Sequence, residues 1–493
     1  MGNFEYIKIN LTYNDVLVYD SYGNILCGNS NISSYDIHPW YVTDAYRLDI
    51  IEKKYRIKFP YHINNNESFI LNNFLHSLSS HTLEKLLDNN ENNFIPYEFD
   101  KIYELGEKFI YPIIIYNNDL FNKTPTINLD DKLITRVKQK IGKILIIQPT
   151  EGFFGECVRD IIWVSNLSKK YGFVRDDIIV VTPNMMAQDT YNDLVNKQII
   201  TDNVTIYPYS YFQHNLWFVG NGNLNKSERT SLIQIFKDFR QDNTRKHKKL
   251  HFLSFNRVVK PHRLVIFGEL MSNEKLKGKS ISSMGGIDPN GNPQHHFMTL
   301  SRFLNHNYSN KKKILDFYID YDSTKHHIYD TPDLENNKAS TFNKVAHTDT
   351  FVNVVTESLI TDTTIFFSEK TFKPILACQP FIIVGNPHSL KKLKELGFKT
   401  FDKWWDESYD EELDPSKRLD KIIKVMEEIS TWDMEKCFQI TNEMDDVFVN
   451  NFKQMIDAEE TYKLYSLLKT HDATDLFKKI IYKIDNKHKM RLI

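Results

Sequence analysis

Val354-Val-Thr-Glu-Ser358, then Phe366-Phe-Ser-Glu-Lys-Thr-Phe-Lys-Pro374, then Pro380-Phe-Ile-Ile-Val-Gly385 is the stretch whose reading decides the fold. It reads as an apolar strand ending in a carboxylate, a loop that brings Glu369 and Lys370 to the mouth of a short helix, and a second buried strand. Short, nearly continuous apolar strands separated by helices suit a parallel sheet covered on both faces. Open sheets of this class bind ligands beyond the carboxyl ends of their strands.

The same alternation continues on both sides. After Gly385, Asn386-Pro387 supplies a helix start that Gly397 closes, and Asp414-Pro415 repeats the start signal for a helix to about Ile429. The remaining C-terminal residues read as mostly helical. Upstream, a strand Leu250 to Phe255 runs into the loop Asn256-Arg-Val-Val-Lys-Pro-His-Arg263 and a helix to about Met271, with irregular Asn- and Lys-rich sequence to about residue 345.

A first alternating series precedes this one. It has a helix Asp131 to Ile141, a strand Lys143 to Ile147, the loop Thr150-Glu-Gly-Phe-Phe-Gly-Glu156 and a helix to Lys170 ending at Gly172. A strand Asp177 to Val181, a helix near Ala187 to Lys197 and a strand Val204 to Tyr207 complete it. A helix from Ser227 to about Gln241 and the basic stretch Thr244-Arg-Lys-His-Lys-Lys249 mark the boundary between the two series. Residues 1 to about 130 are an extension with strand-like runs at Tyr6 to Leu11 and Tyr111 to Tyr116 and Asn-rich loops.

The expected fold is therefore α/β, with two Rossmann-like domains facing a central cleft. They span residues 1–244 and 245–430, and a helical segment 431–493 packs across.

At 493 residues the chain has room for two or three domains, and 41% hydrophobic with 26% charged residues places it among globular rather than disordered proteins. A formal net charge of -2 argues against a surface that is polybasic throughout, although local basic patches remain open to nucleic acid. Cys27, Cys157, Cys378 and Cys437 lie far apart without a CxxC pair, which fits reduced thiols. There is no apolar signal region at the N-terminus and no run of about 18 apolar residues, so the expectation is a cytoplasmic protein with no membrane span.

Several groups are candidates for chemistry. Lys370 at a helix start joins its ammonium to unpaired backbone N–H groups, a setting that favours phosphate. Arg257, Lys260, His262 and Arg263 crowd the loop after an apolar strand, where guanidinium groups clamp diphosphate oxygens. Glu357 ends its strand in position to accept from sugar hydroxyls. In the first series, Glu151 and Glu156 flank Gly152 and Gly155, and either is a candidate general base, Glu151 by preference. Asp320-Tyr-Asp322 resembles a metal-binding DxD. His295-His296 and His326-His327 lack the spacing of a metal site, and Gly220-Asn-Gly222 lacks a third glycine. Lys311 to Lys313 and Lys478 to Arg491 read as solvated basic faces.

Read together, Thr356-Glu-Ser358, Phe367-Ser-Glu-Lys370 and Pro380 to Gly385 resemble the donor half of α1,3-fucosyltransferases and related glycosyltransferases of the two-Rossmann, or GT-B, type. Ser358 follows Glu357 with no intervening Asn, and Ser368 stands where the family has Thr. The resemblance implies a transferase that moves a sugar from a nucleotide-diphosphate donor to an acceptor hydroxyl, with the donor as co-substrate and neither metal nor further cofactor.

On that resemblance the first domain binds the acceptor and the second the donor. Arg257 and Lys370 hold the diphosphate, with Lys260, Arg263, Ser368 and Lys373 beside them, while Glu357 and Glu369 contact ribose or sugar. The acceptor is a glycan, a protein or modified DNA. The Asn- and Lys-rich composition is similar to that of viral and phage glycosyltransferases, some of which modify hydroxymethylated bases, and would place the enzyme in a host cytoplasm. A non-catalytic nucleotide-binding protein is the alternative outside the class.

Overall fold

The computed structural model describes residues 60–61, 97–98, 109–114, 129, 131–147, 158–210, 212–213, 226–287, 296–321, 343–360 and 364–456. Glu151, Glu156, Asp322, His295, His326, His327, Gly220, Gly222, Cys27, Cys157 and the basic tail from Lys478 lie outside these residues, as does the Tyr6 to Leu11 run.

The first half contributes β1 (Pro60–Tyr61), β2 (Tyr97–Glu98), β3 (Phe109–Ile114), α1 (Asp131–Lys138), β4 (Gly142–Ile147), α2 (Val158–Tyr171), β5 (Ile178–Thr182), α3 (Ala187–Asn196) and β6 (Thr205–Pro208). β1 and β2 pair as a separate short ribbon. The other strands form a four-stranded parallel sheet in the order β3-β4-β5-β6. Alternation along the strands explains its core. Ile144, Ile146, Ile178, Val180 and Ile206 pack with Leu133 and Val137 of α1, Ile161, Val164 and Leu167 of α2, and Tyr191 and Leu194 of α3. Leu145, Ile179 and Val181, which point to the opposite face, are buried as well.

The second half contributes α4 (Lys226–Asn243), β7 (Leu250–Val258), α5 (Pro261–Ser272), β8 (Ser280–Ile287), α6 (His296–Phe303), α7 (Lys311–Asp320), α8 (Lys344–Asp349), β9 (Thr350–Thr356), α9 (Glu369–Leu376), β10 (Phe381–Val384) and α10 (Ser389–Glu395). A 3-10 turn at Ser408–Glu411, then α11 (Pro415–Ile429), α12 (Met434–Glu443) and α13 (Asp445–Ile456) follow. Its sheet is also four-stranded and parallel, in the order β10-β9-β7-β8. The chain steps from β7 to β8 on one side, returns through α6, α7 and α8, and lays β9 on the other side of β7. The strand order therefore reverses between β7 and β9.

Two sequence expectations are corrected here. The stretch read as irregular from about 272 to 345 contains β8, α6 and α7. The helix expected to begin at Asn386-Pro387 begins at Ser389, because His388 turns left-handed (φ 65°) and its N–H donates to Asp410 O at 2.7 Å. Asp320, the first residue of the Asp320-Tyr-Asp322 triplet, is the last residue of α7.

The packing of α4 also differs from its place in the sequence. Although it precedes the expected boundary at 244, its Phe236 and Phe239 are part of the second core. Phe236 stacks on Phe452 of α13 (ring centroids 4.0 Å, 13° between planes), and Arg240 forms a two-armed ion pair with Asp445 at 2.6 Å per arm. Cys437, Met444, Phe448 and Phe452 of the last helices pack in the same core.

Contacts also run between the halves. Met185, in the loop after β5, is buried in the second core. Gln213 Nε2 donates to Gln454 O at 3.1 Å, and Lys392 of α10 pairs with Asp189 of α3 at 3.1 Å. No helix among the described residues is long and apolar enough to cross a membrane.

Candidate functional site

In a sheet of this topology the crevice opens beyond the carboxyl ends of the two strands between which the order reverses. Those ends are Asn256 to Val258 of β7 and Thr356 with Glu357 at the end of β9. A side-chain bond ties them together, the Thr356 hydroxyl donating to Asn256 Oδ1, and the Asn256 amide is held in turn within β7 by Ser254 Oγ at 3.1 Å.

β7 carries an irregularity between Asn256 and Val258 where its pairing with β8 shifts. Arg257 sits in it, half-buried. A Cβ placed on Gly285 of β8 would lie 1.8 Å from the Arg257 carbonyl oxygen, so this backbone approach requires glycine.

α5 begins directly beyond β7, with Pro261 at its first position. Lys260 Nζ donates to Ser358 O at 2.8 Å. Arg263 is buried, and its guanidinium reaches Val258 O at 3.2 Å and Thr356 O and Glu357 O at 3.4 Å each. These bonds draw the ends of β7 and β9 together.

His262 Nε2 donates to Glu357 O at 2.7 Å, leaving Nδ1 buried without a hydrogen-bond partner among the described residues. Burial pushes the His262 pKa well down, and the neighbouring cations Arg263, Lys260 and Lys370 push the same way, so the ring is neutral.

Glu357 is 3% exposed and turned onto the start of α9. Its carboxylate accepts the Ser368 N–H at 3.0 and 3.2 Å and the Thr371 hydroxyl at 2.5 Å, while Ser368 Oγ caps the helix by accepting from Lys370 N at 3.3 Å. Burial raises the Glu357 pKa; Lys370, Thr371 and Ser368 offset only part of that rise. The oxygens expected to meet ribose or sugar are thus engaged by the helix start.

Glu369 and Lys370 lie beside each other at 3.6 Å, both partly exposed. Burial pushes the Glu369 carboxyl up, but Lys370, Lys373 and Arg263 outweigh it and hold the group below its ordinary value, hence ionised.

Lys260, Arg263, Glu357, Ser368, Glu369, Lys370 and Lys373 are therefore brought into one electrostatic neighbourhood at the strand ends, with Arg257 on β7 at the same edge. Sequence reasoning missed the roles of Asn256, Thr371 and Gly285. Asn256 was legible as a polar residue closing an apolar strand. Nothing local marks Gly285, whose partner Arg257 is on another strand.

Among the described residues no group of three or more His, Cys, Asp or Glu side chains is arranged to hold a metal ion. Comparison of the chain with protein-family models, curated proteins and solved structures returns no match.

Proposed function

We propose that the chain is a glycosyltransferase that takes a sugar from a nucleotide-diphosphate donor. The observation that carries this reading is the gathering of Lys260, Arg263, Lys370 and Lys373 where the strand order reverses between β7 and β9. Cations at the carboxyl edge of a parallel sheet suit a diphosphate, and a departing diphosphate needs its developing charge stabilised.

In this reading the two parallel sheets are the two Rossmann-like units of a GT-B enzyme, with the donor on the second. Lys370 and Arg257 face the diphosphate. Lys260 and Arg263, already bonded to main-chain carbonyls, hold the strand ends and supply positive potential. Glu369 accepts from ribose or sugar hydroxyls, and Glu357 keeps the α9 start in place. Glu151, with Glu156 second, is the general base that takes the acceptor proton.

The test is a thermal-shift panel of nucleoside diphosphates and nucleotide sugars, followed by transfer of labelled sugar. At least one nucleotide is expected to raise the melting temperature. Lys370→Ala is expected to lower turnover roughly 10²–10³-fold with the fold intact, and a variant with near-full activity would refute the assignment. Label appearing on hydroxymethylated duplex would identify DNA as the acceptor. Binding without transfer to any acceptor, unaltered by Glu151→Gln, would favour a non-catalytic nucleotide-binding protein.

A further inference from the structure

Thr364 to Ser368 is an irregular, fully buried segment that leads directly into α9. Its ends are held from the second half: the Asn386 amide donates to Thr364 O, and Glu357 accepts from Ser368 N–H. Its middle is held from the first half. Met185 N donates to Ile365 O at 2.8 Å, Ile365 N donates to Asn184 Oδ1 at 3.2 Å, and the Phe366 ring meets Phe212 edge-on (centroids 5.6 Å, 80°).

Asn184 in turn is fixed to the carboxyl end of β5. Its N–H donates to Thr182 Oγ1 at 3.2 Å, and its Oδ1 also takes the Met186 N–H at 3.0 Å. The side chain is 1% exposed. A buried N–H that loses its acceptor is left unsatisfied where water cannot replace the lost bond, so Ile365 follows the β5 loop rather than parting from it. Ser368, three residues on, caps the helix that carries Glu369 and Lys370.

We infer that Asn184 is a positioning residue for the anion site at the start of α9, acting through Ile365 and the segment that ends at Ser368. The carboxyl edge of the first sheet thereby sets where Lys370 stands. This rests on the reading of that site as one for diphosphate. It adds that a residue of the other half, without touching the ligand, tunes its affinity. Because coupling between two positions is reciprocal, ligand at the site must tighten the Asn184 contact in return.

The experiment uses the full chain with inorganic pyrophosphate as probe, read by calorimetric titration and by hydrogen exchange at the Met185, Ile365 and Ser368 amides. Asn184→Leu is expected to speed exchange at Ile365 and Ser368 and to weaken pyrophosphate binding about 5- to 10-fold. Asn184→Asp, which keeps an oxygen in place for Met186 and Ile365, restores both. In the unmodified chain, pyrophosphate is expected to slow exchange at Met185 and Ile365, a readout that holds if Asn184→Leu does not fold.

Undiminished pyrophosphate affinity in Asn184→Leu, or unaltered Met185 and Ile365 exchange in the liganded wild type, overturns the inference and leaves the diphosphate site standing. Absence of pyrophosphate binding to the wild type overturns both.

Discussion

Glu357 and Gly285 show how single residues define this strand edge. The Glu357 carboxyl is raised by burial, so its contribution to stability is largest when it is protonated. That contribution is lost as pH climbs through its raised pKa. Glu357→Gln keeps the shape and removes the proton. The stability of the wild type relative to Glu357→Gln is expected to fall steadily as pH rises from the ordinary carboxyl range towards neutrality. Thermal unfolding of both proteins across that range checks it, and a difference that grows with pH would mean that Lys370 and Thr371 outweigh burial.

At Gly285 the prediction is steric. An added methyl collides with the Arg257 carbonyl, and neither main chain yields easily. Gly285→Ala is expected to cost on the order of 2–4 kcal/mol, measured by denaturant unfolding, and to weaken pyrophosphate binding because Arg257 moves with the strand.

At the scale of elements, α8, β9 and the approach to β10 are held by a buried polar cluster at the end of the sheet opposite the site. His347 Nδ1 donates to Gln379 Oε1 at 2.8 Å, and the Gln379 amide donates to Thr350 O at 3.1 Å and to Thr350 Oγ1 at 2.8 Å. Burial lowers the His347 pKa to about 4, so the stability it contributes is present above pH 6.5 and is lost as pH falls from there through 4. The loss is on the order of 3 kcal/mol at the acid end. His347→Gln is expected to flatten the acid limb of a stability profile between those pH values.

Elements with local signals were legible in sequence. Asp414-Pro415 starts α11 as its residues dictate, with Asp414 accepting from Ser416 N at 2.8 Å and Lys417 N at 3.1 Å. The Asn386-Pro387 signal misled because the cap of α10 comes from elsewhere. Asp410 accepts from Leu390 N at 2.9 Å and Lys391 N at 3.0 Å, which frees the Asn386 amide to hold Thr364. β8 escaped notice because Ser282, Ser283 and Gly285 carry no apolar pattern. The missing side chain of Gly285 answers to the neighbouring β7 backbone, which no window along the chain contains. At the site, the basic loop and the Glu369-Lys370 pair could be read from their positions after apolar strands. That Arg263 and Glu357 turn inward could not, because their partners belong to other elements.

For the whole molecule, periodicity gave two alternating α/β series, and two parallel sheets with separate cores are present. The assignment of α4 to the second core was not legible, since its aromatic face is complementary to α13, about two hundred residues away. Phe452→Ala removes the ring that stacks on Phe236. It is expected to destabilise the second half by about 3–5 kcal/mol, while amide exchange in the β4 and β5 core stays unchanged. Domain-resolved hydrogen exchange during denaturant titration measures this, and equal loss in both cores would show that the halves unfold as one.

The pairing of α4 with α13 also constrains how the chain is made. Arg240 and Asp445 are 205 residues apart. At about 5–20 residues per second, a ribosome takes roughly 10–40 s to deliver one partner after the other. Throughout that interval Phe236 and Phe239 have left the tunnel while the helices that bury them are still being synthesised. Nascent chains of this protein should therefore occupy chaperones for longer than its first sheet alone would require, and release should coincide with the emergence of α13.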